Sequence, residues 1–373
     1  MERMRALIFG VGRMGLAISW AMDRLGFKVY GVDVSEDTPQ RLSSVIDNFD
    51  FHQVRLLEAE LECIFNKDVD IVISSLPYHQ TEIVANHCIE NGIRYCDLGG
   101  RVDVSQRIND KAKDQATKPV FTDLGLAPGL VNILAEQGYR ELFGTGKIIS
   151  VEMMVGGLPD YLESNRNPLR YALTWSTDGL INEYKDDCLI LQGGETELVG
   201  GMSGLENVQT ESLGPLEAFY TSGGASHTIE SMKMKGVANC SYKTLRYKGH
   251  CDIVKFLIKD CGLDDSSLEQ IFVTGCGYVE KDEVIVIAKV HKDNKSWVKE
   301  KLVKSDDQFS AMQKATAFPI SSVAALMAEG KLEGNYHEHR DYYTQFPKTL
   351  SYGDVPFEDF DNNLKKLNFN LDE

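Results

Sequence analysis

The chain of 373 residues has no cysteine pair at CxxC spacing, no block of consecutive lysines and arginines, and no apolar run as long as a membrane span. Each absence removes a class of function. The eight cysteines (Cys63, Cys88, Cys96, Cys188, Cys240, Cys251, Cys261 and Cys276) are scattered, which reads as reduced, mostly buried thiols and not as a disulfide framework or zinc site. Basic residues are few. Against 56 acidic side chains, 39 Lys and Arg leave a net charge of -17, which argues against nonspecific binding to nucleic acid or to an anionic membrane. Met1 leads directly into the first apolar run, so a signal peptide is not expected and a cytoplasmic location is. The nearest approach to a metal motif, His337-Glu338-His339, sits in a polar tail at a spacing that does not put both imidazoles on one helix face. No metal is expected there.

What is present is an ordinary globular composition, 43% hydrophobic and 25% charged, long enough for two or three domains. The most informative segment is Gly10-Val11-Gly12-Arg13-Met14-Gly15. It follows the apolar run Ala6-Leu7-Ile8-Phe9 and opens a helix-patterned stretch from Met14 to Leu25. A second apolar run, Lys28 to Val32, ends in Asp33. Gly10 allows the tight turn, Gly12 lets the backbone approach a pyrophosphate, and Gly15 lets helix and strand pack closely; Asp33 is placed to accept from both hydroxyls of an adenine ribose. A 2'-phosphate would meet Asp33 with Glu36 and Asp37 nearby in sequence, so the expected cofactor is NAD in preference to NADP.

From Met4 to about Thr122, apolar runs and helical patterns alternate, as in a doubly wound parallel sheet. The reading places strands near Phe51 to Leu56, at Val69 to Ser74, at Tyr95 to Leu98 and at Val120 to Thr122. Helices are expected at Leu57 to Phe65, Thr81 to Asn91 and Ser105 to Thr117. Ligands in such sheets bind outside the carboxyl ends of the strands, so the loops Ser74 to Gln80, Asp97 to Arg101 and Asp123 to Gly129 should line the crevice. Beyond Gly129 a helix, Leu130 to Leu142, leads into period-two stretches at Ile148 to Val155, Cys188 to Val199 around Gly193-Gly194, and Val284 to Val290. These predict a second α+β domain built on a largely antiparallel sheet, with a helix from His250 to Cys261. A small-residue helix near Phe309 to Glu329, interrupted at Pro319, and an amphipathic stretch from Phe357 to Leu367 are expected to return to the first domain. The expected division is residues 1–128, a Rossmann domain; 129–308, a substrate-binding and oligomerisation domain; and 309–373, the returning helices.

The same loops carry a resemblance. Asp97-Leu98-Gly99-Gly100, Asp123-Leu124-Gly125-Leu126-Ala127-Pro128-Gly129, Gly156-Gly157-Leu158-Pro159, Gly214-Pro215-Leu216-Glu217-Ala218-Phe219, Thr221-Ser222-Gly223-Gly224, Thr244 to His250 and Ala315-Thr316-Ala317 follow the glycine loop in order. In this pattern the chain resembles the saccharopine dehydrogenase family in its reductase-like branch, most closely the lysine 6-dehydrogenases. The resemblance implies a Rossmann domain with an inserted substrate domain, NAD(P)-dependent oxidation at a carbon bearing nitrogen, and a homodimer or larger oligomer. Where saccharopine reductases resemble Asp-Pro-Gly-Ile-Asp-His, this chain has Ala127-Pro128-Gly129-Leu130-Val131-Asn132, which favours the lysine 6-dehydrogenase branch.

Oxidising a C–N bond requires a neutral amine, so a base must take the ammonium proton, and a water must later be activated to hydrolyse the imine. Asp97 and Asp123 are the carboxylates expected at the crevice, with His250 or His227 as proton relay. Arg246 offers a bidentate clamp for a substrate α-carboxylate. Tyr78, Gly157 and Thr221 complete the expected substrate contacts; Gly10, Gly12, Arg13, Met14, Gly15, Asp33, Ser75, Leu76, Pro77 and Leu124 are the expected cofactor contacts. Structural roles compete with these. An aspartate before a glycine turn fixes the turn by an Asx bond, Arg246 also fits a solvated strand position, His227 suits a loop or cap, and Tyr171 and Trp175 read as core. The expected reaction is oxidative deamination of L-lysine at its 6-amino group. The alternatives are an imine reductase of the saccharopine or carboxynorspermidine type, helped by Lys243, Lys248 or Arg170, and an NAD-binding regulator without turnover.

Overall fold

A computed structural model describes residues 3–55, 64, 68–144, 148–160, 167–277, 279, 281–332 and 349–372. The helix expected at Leu57 to Phe65 falls almost wholly outside the described residues, as do Cys63 and His337-Glu338-His339. The chain forms two compact units, Met1–Leu130 with Ala315–Leu371, and Val131–Lys314 with the last two residues.

In the first unit, β1 (Arg5–Phe9), α1 (Arg13–Arg24), β2 (Lys28–Asp33), α2 (Thr38–Ser43), β3 (Phe49–Gln53), β4 (Ile71–Ser74), α3 (Tyr78–Glu90), β5 (Tyr95–Asp97), α4 (Val102–Gln115) and β6 (Val120–Phe121) follow in order. The strands pair in parallel in the spatial order β3-β2-β1-β4-β5-β6. That is the Rossmann order, with its reversal beside β1, so a ligand crevice is expected past the ends of β1 and β4. Continuous apolar strands are required because helices cover both faces; Ile71, Val72 and Ile73 are fully buried.

The turn after β1 explains its glycines. Gly10 has φ of 79°, in the left-handed region where a side chain is strained. At Gly15 a Cβ would lie 1.8 Å from the Gly10 carbonyl oxygen, so α1 can pack this closely only without a side chain. Around Gly12, by contrast, a Cβ would meet nothing within 4 Å. The first and third glycines serve packing, and the second faces open space.

The second unit begins within α5 (Leu130–Glu141) and holds β7 (Ser150–Pro159), α6 (Thr177–Lys185), β8 (Cys188–Gln192), β9 (Glu195–Val199), β10 (Glu206–Thr210), β11 (Gly214–Tyr220), α7 (Thr228–Met234), β12 (Asn239–Arg246), α8 (His250–Lys255), α9 (Asp265–Gly275), β13 (Asp282–Lys292) and β14 (Lys295–Lys304). Its sheet runs β10-β11-β12-β7-β13-β14, with the β8–β9 hairpin attached beside β12. Pairing is antiparallel except at β7–β12, which run parallel. The helix expected to continue from His250 to Cys261 changes winding after Lys255, where Phe256–Asp260 forms a π-type turn. Such widened turns insert one residue per turn and often sit near functional groups.

α10 (Ala311–Ala328) carries the chain back into the first unit. Its opening N–H groups at Ala311 and Met312 donate to the Asp282 carboxylate at 2.7 and 3.0 Å, satisfying donors that a helix start leaves over. The interruption expected at Pro319 does not occur: one helix runs through it. Proline removes one N–H and crowds the preceding turn, but here packing wins. Phe318 stacks on Trp20 with centroids 5.3 Å apart and meets Phe369 edge-on at 6.0 Å, while Ile320, Val323 and Ala324 are fully buried. The last helix, α11 (Phe357–Lys366), is fixed to it by Ser322, whose hydroxyl donates to the Phe360 carbonyl at 2.9 Å. No helix among the described residues is long and apolar enough to cross a membrane.

Candidate active site

Two groups of functional side chains emerge, one in each unit. In the first unit, the amino end of α1 has no side-chain cap at Gly12, so its leading N–H groups keep their capacity for an anion. Asp33 ends β2 beside it. Its carboxylate accepts from the Val11 N–H at 2.6 Å and the Ser35 N–H at 2.9 Å, which ties the acid to the glycine loop. Two backbone bonds leave acceptor positions on a carboxylate that has about four. Opposite the loop, the Ser75 N–H donates to the Phe9 carbonyl at 2.7 Å, and the Ser75 carbonyl and Leu76 side chain close on Gly10. Pro77 then leads into α3, whose first residue Tyr78 lies half-buried with the Arg101 guanidinium 5.7 Å from its ring centre. Arg13 is exposed and Met14 half-buried at the start of α1.

The acids at the ends of β5 and β6 form a linked pair. Asp97 is buried, and one of its oxygens accepts from the Gly99 N–H at 2.9 Å and the Asp123 N–H at 3.0 Å. The other oxygen accepts from the Tyr95 hydroxyl at 2.9 Å. The Asx turn weighed for Asp97 is therefore present, and it also fastens the next strand end: the Leu124 N–H donates to the Asp97 carbonyl at 2.8 Å. Asp123 takes φ of 65°, unusual for a residue with a side chain and a form of strain that gathers at functional sites. Its carboxylate accepts from the Ser105 hydroxyl at 2.6 Å and lies against Gly99, where any Cβ would come within 2.2 Å of it. The Tyr352 hydroxyl holds the Asp123 carbonyl at 2.8 Å from the C-terminal segment.

Burial, and then the neighbouring Asp123 charge, push Asp97 up to about 7. Its folded value lies above the ordinary 3.8, so the folded chain holds a proton that the unfolded chain releases between those values. Stability from this residue is therefore full below pH 4 and is lost as pH rises through about 7. Asp97→Asn should flatten the stability profile between pH 4 and 8, read by urea denaturation at fixed salt. A variant with the wild-type slope across that window would remove this assignment.

In the second unit the central group is Arg246, the one arginine among the buried described residues. It ends β12. Its Nε donates to the Tyr184 hydroxyl at 3.0 Å and one terminal nitrogen to the Leu245 carbonyl at 2.9 Å, while the guanidinium carbon sits 4.7 Å from the Tyr171 ring centre and 5.8 Å from that of Tyr184. The solvated position weighed for it is excluded by this burial. Tyr184 passes the bond onward. The His250 Nδ1 faces the Leu169 carbonyl at 2.6 Å and must donate to it, so Nε2 is bare and accepts from the Tyr184 hydroxyl at 2.9 Å. Burial, then the Arg246 charge, lower His250 to about 3. This differs from the relay expected of His250: a neutral, fully buried imidazole with both nitrogens engaged holds Tyr184, and through it Arg246, in place. His227 occupies the N-cap position of α7, but its side chain makes no capping bond; its Nδ1 lies against the Ser226 hydroxyl at 3.1 Å.

Of the other expected substrate contacts, Thr221 is buried and shares a 2.7 Å bond with Thr244. Gly157 lies two residues past the last paired position of β7 and β12, Val155 with Thr244, where β12 reaches Arg246. A Cβ at Gly157 would lie 2.5 Å from the Met312 methyl and 3.5 Å from the Thr174 hydroxyl oxygen, so the glycine lets Met312 pack close beside Thr174. The Thr174 hydroxyl is buried and has no hydrogen-bond partner. Tyr171 is core, as its composition suggested, yet it also forms the floor under the guanidinium and accepts from Trp175 Nε1 at 3.2 Å. Two residues escaped the sequence reading. Thr174 and Glu183 carry no motif, and only the fold brings them to this end of the sheet. Lys243, one step before Thr244, points to the opposite face of β12 and is tied to Glu206 at 2.7 Å and the Gly204 carbonyl at 2.8 Å. Arg170 donates to the Lys248 carbonyl at 2.8 Å. Among the described residues no cluster of three or more His, Cys, Asp or Glu is placed to hold a metal ion.

The first unit has the sheet order and glycine turn of a dinucleotide-binding oxidoreductase domain, and the comparisons agree. Residues 6–119 match the saccharopine dehydrogenase NADP binding domain and residues 125–351 the saccharopine dehydrogenase C-terminal domain. The chain belongs to the saccharopine dehydrogenase family. It is 27% identical over 237 residues to the mitochondrial alpha-aminoadipic semialdehyde synthase of Rattus norvegicus, a match covering 61% of this chain and 25% of that one. To the saccharopine dehydrogenase (NADP(+), L-glutamate-forming) of Schizosaccharomyces pombe it is 25% identical over 217 residues, 57% of this chain and 48% of the other. The matched region thus spans about a quarter to a half of these curated relatives. The fold matches that of the L-Glu-forming saccharopine dehydrogenase of Saccharomyces cerevisiae with a TM-score of 0.73 at 15% identity, covering 98% of this chain and 97% of that one.

Proposed function

We propose that this protein is an NAD-dependent amino acid dehydrogenase that oxidises a C–N bond, acting on L-lysine at its 6-amino group in the manner of lysine 6-dehydrogenases. One observation carries the reading: a buried guanidinium, fixed on two sides yet without a carboxylate partner, suited to one substrate carboxylate. The first unit suits a nicotinamide dinucleotide: Gly12 and the start of α1 would receive its phosphates, Asp33 its adenine ribose, and the loop from Ser75 to Pro77 with Leu124 would flank it. A 2'-phosphate beside the Asp33 carboxylate would be repelled, which favours NAD even though the matching domain model and the fungal relative are named for NADP. The bound cofactor supplies the hydride acceptor.

The protein's own task is proton handling and orientation. Asp123 is assigned the ammonium proton, because its carboxylate is held at a strained strand end by Ser105 and by the backbone bond to Asp97. Deprotonation leaves a nitrogen lone pair to support the carbon as hydride departs. Water then adds to the resulting imine and ammonia leaves, so that the protonated amine, oxidised cofactor and water become aldehyde, ammonium, reduced cofactor and one proton. For lysine the aldehyde closes on its own α-amine to give a piperideine carboxylate. Asp97 positions Asp123, and Arg246 receives the substrate carboxylate.

The saccharopine-type reading would require further cations for two additional carboxylates. Lys243 lies on the other face of its strand and Arg170 is bonded to a backbone carbonyl, which favours the smaller substrate. The test is the purified chain with NAD or NADP and a panel of lysine, ornithine, diamines and saccharopine, following reduced cofactor. Lysine with NAD is expected to be the best pair. Turnover of saccharopine without turnover of lysine would refute the assignment, and a strong preference for NADP would remove the role given to Asp33.

A further inference from the structure

Glu183 sits on α6 directly before Tyr184 and is half-buried. Its backbone carbonyl accepts from the Ser222 N–H at 3.0 Å, but its carboxylate forms no hydrogen bond and no ion pair. Glu183 directly precedes Tyr184, whose hydroxyl accepts from Arg246 Nε at 3.0 Å, so the acid lies one residue from the group that holds the guanidinium, and each charge stabilises the other without an ion pair between them. Arg246 meanwhile spends only two of its five N–H donors. The Thr174 hydroxyl, buried and without a partner, completes a set of three underused polar groups in the same unit. A cation and an anion held near each other in a desolvated place would normally close into a salt bridge, since each otherwise carries its desolvation penalty uncompensated. Here each has its own support: Tyr184, Tyr171 and the His250 chain fix the guanidinium, and the Ser222 N–H holds the backbone of Glu183. Opposite charges that are not joined to each other match a ligand that carries both charges on neighbouring atoms.

We infer that Glu183 binds the α-ammonium group of the substrate while Arg246 binds the α-carboxylate on the same carbon, with the Thr174 hydroxyl as a further donor to that carboxylate. The site is thereby selective for an intact α-amino acid end over a simple amine or an acid lacking the α-amino group. Burial holds Glu183 near 7, so a cationic ligand group would draw it fully into its charged form. This assignment rests on the amino acid reading above and adds the group that recognises the second charge.

The experiment is calorimetric titration of the full chain, in the presence of NAD, with L-lysine, with ε-aminocaproate (lysine without its α-amino group) and with cadaverine (lysine without its carboxylate), with NADH release followed in parallel. Wild type is expected to bind L-lysine at least about tenfold more tightly than either analogue, the size expected for one charged hydrogen bond. Glu183→Gln should lose about tenfold or more in lysine affinity while its affinity for ε-aminocaproate stays within about threefold, which also shows that the variant is folded. Thr174→Val, close in shape, should weaken lysine and ε-aminocaproate alike. Equal affinity of wild type for lysine and ε-aminocaproate, or a Glu183→Gln variant that keeps the wild-type preference, would overturn the assignment, as would failure of wild type to bind lysine. Discrimination among the three ligands without NADH from any of them would leave Glu183 in place and remove the dehydrogenase reading; NADH from lysine without discrimination would do the reverse.

Discussion

Asp123→Asn is expected to lower kcat for lysine oxidation by about a hundredfold to ten-thousandfold, the range that a positioned general base supplies. The substitution is close to isosteric, and asparagine tolerates the left-handed backbone that Asp123 occupies at φ of 65°. Its amide oxygen can still accept from Ser105, so the loop between Asp97 and Gly129 should stay in place. What is removed is the ability to take a proton. KM for lysine and the affinity for NAD should therefore change little, while raising the pH, which supplies more neutral amine, should recover part of the lost rate. Steady-state kinetics from pH 7 to 10 decides this. A kcat reduced less than about threefold would show that the proton goes elsewhere.

Arg246→Ala is expected to raise KM for lysine by an order of magnitude or more with kcat altered much less, because the guanidinium is assigned to binding and not to the reacting carbon. Cadaverine, which has no carboxylate, should be nearly indifferent to the substitution. That contrast separates a lost clamp from a disturbed core, since the truncation also removes a donor to Tyr184 and the cation above Tyr171. Arg246→Lys should recover little, as an ammonium cannot offer the planar pair of donors. An unchanged KM for lysine in Arg246→Ala would take Arg246 out of the site.

The first unit was legible because its signals are local. A glycine turn, an acid about twenty residues on and alternating apolar runs lie within one stretch, and each reports on backbone its own residues build. Gly10, Gly15 and Asp33 therefore appear in the geometry the sequence implied. Where long-range packing decides, the sequence reading departs. Pro319 predicts a break, but the rings of Trp20 and Phe369, distant in sequence, hold the helix through it. Residue type and the family resemblance predict a proton relay at His250; its burial and the nearby Arg246 charge make it neutral, and neither can be read from a segment. Asp97 joins the two meanings the sequence left open, since the Asx turn it forms is also what holds Asp123. Glu183 was invisible for a simple reason. In Thr177–Lys185 it reads as one polar position of an amphipathic helix, and Arg246 lies on a strand far along the chain.

The most direct test of the central claim is the fate of the hydrogens on lysine C6. With L-lysine deuterated at C6 and NAD as acceptor, one deuterium should appear in the reduced cofactor for each piperideine carboxylate formed, and the rate should fall if hydride transfer limits turnover. Lysine deuterated at the α-carbon should transfer none. Reduced cofactor without deuterium from C6, or with deuterium from the α-carbon, would contradict the assignment of this protein to oxidation at the 6-amino carbon.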